Sequence, residues 1–113
     1  MSKRNSLSST PPYPVDRAIK QLGDNLRTER LRRQMTIDEV AARIGTGPRA
    51  VMDAEKGKPT TGIVVYTALL WLFDLLEPFE RLADPALDQE GLSLSLIRDP
   101  KRTRKSGGLD SDF

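Results

Sequence analysis

The sequence predicts a small all-α domain of five helices followed by one short strand. Three observations carry this. Apolar residues recur at helical spacing from Ile19 onward. Capping and stop signals punctuate residues 36–62. The period shortens to two residues only beyond Gly91. A chain of 113 residues suits one core plus tails.

The first helical period begins at Val15. Ile19, Leu22 and Leu26, with Arg30 or Leu31 next in line, make one apolar stripe. The side carrying Arg27, Glu29, Arg30, Arg32 and Arg33 is expected to face solvent, and the helix to end near Gln34. A second helix starts at Thr36. Thr36-Ile37-Asp38-Glu39 fits a capping box, in which the Thr hydroxyl accepts from the Glu39 amide and the Glu39 carboxylate from the Thr36 amide. Val40, Ala41 and Ile44 then face inward, and Gly45 stops the helix by turning left-handed. The third helix opens on Thr46-Gly47-Pro48, with Pro where no amide is needed. Val51 and Ala54 are its apolar face, and Gly57 is its stop.

The fourth helix follows Gly62. Residues 63–76 are apolar nearly all round, broken by Thr67 and Asp74. A domain this small cannot cover every face of such a helix, so the excess predicts a dimer, with Trp71 in the core or at the seam. A short fifth helix is expected over 78–82. Leu92, Leu94 and Leu96 then alternate with Ser93, Ser95 and Ile97, a strand-like period. A lone strand is unstable in water, so its expected partner is the same segment of a second chain. The alternative is a loop whose leucines drape over the helices.

The expected organisation is a disordered tail over 1–14, a helical domain over 15–83, a linker and dimerisation strand over 84–98, and a flexible tail over 99–113. The first fourteen residues hold four Ser, one Thr and three Pro, with no apolar period. They lack the apolar core of a secretion signal, and no run approaches a membrane span, so a cytoplasmic location follows by default.

Composition narrows the chemistry. The chain has neither His nor Cys. Disulfides, thiolate nucleophiles, His-based triads and zinc-thiolate sites are therefore excluded. An enzyme is disfavoured, and the residues call for no cofactor or metal. The net charge is +2, unevenly spread. Residues 26–58 carry net +3, residues 74–90 net −5, and residues 91–105 net +4. Such blocks suggest separate surfaces for separate partners, and a pI near 9.2 permits nucleic-acid binding.

Two short helices around a tight Gly turn make a helix-turn-helix candidate, in which one helix braces another that enters the DNA major groove. Leu22-Gly23, Leu26-Arg27, Met35 to Ala41, Ile44-Gly45, Val51 and Glu55-Lys56-Gly57 together resemble the Cro/lambda-repressor (XRE) helix-turn-helix family over about 55 residues. A narrower likeness uses residues 60–75 with Tyr66, Leu69 and Trp71, then Ala83-Asp84-Pro85-Ala86, then Pro100-Lys101-Arg102-Thr103-Arg104. These resemble HipB-type antitoxins paired with HipA-like kinase toxins, in which a strand placed like residues 92–97 forms an intersubunit ribbon.

The resemblance implies a lambda-repressor-like fold and a dimeric repressor. Such a protein binds double-stranded operator DNA, autoregulates its operon as the antitoxin of a type II toxin-antitoxin system, and restrains a HipA-like serine/threonine kinase toxin. By family position the recognition helix spans 48–55, with Pro48, Arg49, Met52 and Asp53 toward the groove. Arg49 suits guanine O6 and N7, while Asp53 suits cytosine N4 or else repels phosphate. Arg43, Thr46, Gly47, Lys56 and Lys58 are the implied backbone contacts, and Glu55 braces the helix ends. Trp71, Leu92, Leu94, Leu96 and Ile97 are the implied dimer residues. Leu109 and Phe113, apolar among acids, are read as a toxin-docking peptide. The chain departs from the family at Ile37, where Gln is frequent, and at Gly47, where Ser or Thr caps. These departures and Asp53 motivate an alternative: a protein-interaction module that neutralises its partner without reading DNA.

Overall fold

The computed structural model describes residues 6–98; Leu109, Phe113 and the basic cluster of Lys101, Arg102, Arg104 and Lys105 lie outside them. Among the described residues the fold is all-α. The helices are α1 (Ser6–Ser9), α2 (Tyr13–Arg32), α3 (Ile37–Ile44), α4 (Pro48–Glu55), α5 (Ile63–Leu72), α6 (Glu77–Glu80) and α7 (Gln89–Ile97), with a 3-10 turn at Pro85–Leu87. The chain divides into two compact units between Glu80 and Arg81. No helix among the described residues is long and apolar enough to cross a membrane.

In the first unit, α4 packs on α2, α3 and α5, and α3 also packs on α5. The core is Leu26, Val40, Ala41, Val51, Ala54, Tyr66, Leu69 and Phe73, flanked by half-buried Ile19, Leu22, Met35, Ile37 and Ile44. Of the inward positions expected on α3 and α4, Val40, Ala41, Val51 and Ala54 are buried and Ile44 is half-buried. In the stretch read as disordered, Ser6–Ser9 forms one helical turn whose Ser6 carbonyl accepts from the Ser9 and Thr10 hydroxyls. α2 starts at Tyr13, two residues before Val15, because Pro14 sits in the first turn, where its missing amide costs nothing.

The α2 stripe continues through Arg30, which is 7% exposed, and leaves Leu31 47% exposed. Of the two residues that could continue the stripe, Arg30 is the one inside, although it also falls among those expected on the solvated side, because a carboxylate from α4 meets it there. Gly23, one turn before Leu26, is also buried. A Cβ at Gly23 would lie 2.5 Å from the Ala54 carbonyl oxygen and 2.7 Å from that of Glu55. The last turn of α4 rests directly on the backbone of α2.

The capping box forms as the sequence predicts. Glu39 N donates to Thr36 Oγ1 at 3.1 Å, and Thr36 N donates to Glu39 Oε1 at 2.7 Å. Gly45 has φ +84° and closes α3, its amide donating to the Ala41 carbonyl. Gly57 follows α4 with φ +67°.

α5 stops at Leu72, short of residue 76. Asp74 takes φ +62°, and Leu75 N donates to the Leu70 carbonyl at 2.7 Å, closing the helix. Phe73 turns into the core at 2% exposure. Arg33 donates from Nη2 to the Phe73 carbonyl at 3.1 Å and stacks 4.9 Å from the centre of its ring. Arg33 stays exposed, as expected, and pairs with Glu29 at 2.7 Å, but it also ties α2 to the end of α5. α6 occupies Glu77–Glu80 in place of 78–82.

In the second unit, Asp84 Oδ1 accepts from Ala86 N and caps the 3-10 turn, on which α7 packs. α7 corrects the expected strand: Leu92, Leu94, Leu96 and Ile97 lie on a helix, with exposures of 45, 58, 85 and 78%. The reason is backbone satisfaction. A helix pairs its amides within the segment, as Leu92 N does with the Asp88 carbonyl, whereas a strand needs a neighbour. The Leu/Ser alternation then distributes leucines around the helix, and α7 buries none of them.

Candidate nucleic-acid interface

The site is built on α3 and α4, two eight-residue helices joined by Gly45, Thr46 and Gly47. Val51, Ala54 and Glu55 face inward from α4. Its outer edge carries Pro48 and Arg49, both exposed, with Met52 and Asp53 half-buried beside them and Lys56 exposed at its end. Arg43 is exposed in the last turn of α3, Thr46 is half-buried in the turn, and Gly47 is the exposed N-cap of α4. The sequence-predicted residues from Arg43 to Lys58 thus fall on α3, the turn after it, α4 and the exit loop of α4.

The orientation of α4 is held by a buried ion pair. Arg30 Nε donates to Glu55 Oε2 at 2.6 Å, and Nη2 donates to Oε1 at 3.0 Å. Nη1 donates to the Met35 carbonyl at 3.0 Å, just before α3. One guanidinium therefore joins α2, the entry to α3 and the end of α4. The bidentate hydrogen bonds to Glu55 push the Arg30 pKa above its ordinary value, so the charge persists. Glu55 acts as the expected brace, and its partner is Arg30, a pairing the sequence did not point to.

The two helix N-termini differ electrostatically. At α3, Glu39 satisfies the Thr36 amide, and Asp38 adds a second acid to the first turn. At α4, Gly47 provides no side-chain cap bond and the first turn holds no acid. An anion is favoured at the second end, where free amides, the helix dipole and Arg49 coincide.

Arg43, Arg49 and Lys56 form no ion pair among the described residues. Lys58 does: its Nζ lies 3.5 Å from Asp53 Oδ1. That oxygen is buried and accepts no hydrogen bond among the described residues. Asp53 is thus folded toward the exit loop of α4. Arg27, expected only on a solvated helix side, joins Ile37, Met52 and Lys56 around a depression of about 250 Å³ next to the Arg30–Glu55 pair. Its signal was the spacing of three from Arg30, the residue that turns inward.

Trp71 is not in this site. It lies in the last turn of α5 at 62% exposure, on the helix whose first turn exposes Ile63 at 66% and Val64 at 70%. Leu92, Leu94, Leu96 and Ile97 belong to the other unit, and Leu109 and Phe113 fall outside the described residues. No family model, curated protein or solved structure matches the chain.

Proposed function

We propose that the chain is a helix-turn-helix transcriptional repressor of the Cro/lambda-repressor kind, which binds operator DNA as a homodimer. The carrying observation is the free outer edge of α4: Arg49 is exposed in its first turn, the N-terminus is without acids, and the inner edge is clamped by Arg30–Glu55. A rigid helix presenting such an edge can enter the major groove, where Arg49 reads guanine and the exposed cations hold phosphates. Exposed Ile63, Val64 and Trp71 on α5 support self-association. A dimer would read two half-sites about 34 Å apart. The finer role, antitoxin to a HipA-like kinase toxin, rests on the sequence resemblance, and is tested by co-purification with a kinase encoded beside the gene.

The test of DNA binding is a mobility shift on DNA from the chain's own upstream region. Arg49→Ala is expected to lose about 1–3 kcal/mol of discrimination at one base pair. An unchanged specific shift overturns the assignment of Arg49. Ile37 at the start of α3, Gly47 before α4 and Asp53 on α4 favour the second reading, a protein-interaction module without DNA recognition. Under that reading no duplex is bound in a salt-dependent way.

A further inference from the structure

Among the cations of the α3–α4 element, Lys58 is the one with a carboxylate behind it. The pair is built by the local fold. Lys58 N donates to the Asp53 carbonyl at 3.1 Å, which folds the exit loop back over the last turn of α4. This brings Lys58 Nζ to 3.5 Å from Asp53 Oδ1. The Asp53 side chain is 24% exposed and that of Lys58 is 49% exposed. The oxygen facing Lys58 is itself buried, with no hydrogen bond among the described residues. That oxygen neither faces solvent nor accepts a hydrogen bond among the described residues, and the charge it faces is Lys58. Its effect is on the charge beside it.

We infer that Asp53 restrains sequence-independent DNA binding by holding Lys58, so that one cation of the interface is withheld from phosphate. The inference rests on the DNA-binding reading above and adds the sign of one residue's contribution. Random-sequence DNA is bound almost wholly through its phosphates, so neutralising a cation weakens that mode. Recognition through Arg49 and base edges does not depend on Lys58 in the same way. Asp53 therefore widens the gap between operator and bulk DNA, and a base-contacting role for it is replaced by a positioning one.

The test uses the full chain, a random-sequence 20-base-pair duplex, and a salt titration of binding. Asp53→Asn keeps the size of the side chain and removes its charge. It is expected to bind the random duplex more tightly than the wild type, with a salt slope steeper by about 0.9, the contribution of one phosphate. Between about 50 and 200 mM salt its advantage then shrinks by about 3.5-fold. Adding Lys58→Gln to Asp53→Asn is expected to return both affinity and slope to near the wild-type values. A purely structural role for Asp53 would lower the melting temperature without steepening the slope. The inference is overturned if Asp53→Asn gains no affinity, or if the gain survives Lys58→Gln. If the wild type binds and Arg49→Ala weakens it while Asp53→Asn changes nothing, only this inference falls. If no form binds any duplex at low salt, the DNA-binding reading falls with it.

Discussion

Replacing Gly23 with Ala sets two effects of opposite sign against each other. Within a helix interior, Ala is favoured over Gly by about 1 kcal/mol. Against this, the new methyl would sit 2.5 Å from the Ala54 carbonyl oxygen and 2.7 Å from that of Glu55, where ordinary contact begins at 3.4 Å. Both oxygens belong to backbone at the end of α4, so neither can rotate aside. The last turn of α4 must move by the better part of an ångström, and Glu55 moves with it, stretching its bonds to Arg30. Forcing a methyl into a packed contact costs about 1–3 kcal/mol, more once a buried ion pair is strained. The expected net loss is therefore about 1–2 kcal/mol, a fall in melting temperature of about 5–15 °C for a domain of this size. Thermal and urea unfolding followed by circular dichroism measure it, with Ala18→Gly, on the exposed side of α2, reporting helix propensity alone. A Gly23→Ala protein that melts higher than the wild type would refute the close seating of α4 on α2.

Three further outcomes follow from the same geometry. Glu55→Gln leaves the Arg30 guanidinium buried without its counter-charge and should cost about 3–5 kcal/mol in urea unfolding, whereas Arg30→Met with Glu55→Leu should recover most of it; equal losses for both would argue against an uncompensated charge. Gly45→Ala meets no atom within 4 Å but forces φ +84° on an L residue, so a loss of about 1–2 kcal/mol is expected from strain alone, smaller for Gly45→Asn; a neutral Gly45→Ala would contradict the left-handed turn. Trp71→Asp puts a charge on an exposed face of α5 and should leave the melting temperature near the wild-type value while shifting sedimentation from dimer to monomer; an unchanged dimer would remove Trp71 from the seam.

Local chemistry made much of the candidate site legible. Thr36 and Glu39 define the start of α3 because both capping partners lie within one turn. Gly45 and Gly57 mark boundaries because they accept a positive φ without steric cost, and Pro48 because it fixes φ and lacks an amide. Period alone placed Val40, Ala41, Val51 and Ala54 inside. The same local logic failed at residues 92–97. Alternation records which side chains resemble one another, but whether a strand forms depends on a partner backbone, and α7 satisfies its own.

By itself, then, the sequence determined the helical character of residues 15–80, the limits of α3 and α4, and the cluster of cations around them, since each depends on residues within a few positions. Only the tertiary structure decided the direction of the charged side chains. Arg30 turns inward because Glu55, 25 residues away, meets it, and Arg33, beside its local partner Glu29, reaches the Phe73 carbonyl 40 residues away. A charge can be hidden only where its counter-charge is already waiting, and that meeting is made by the packing of helices, which no local pattern records.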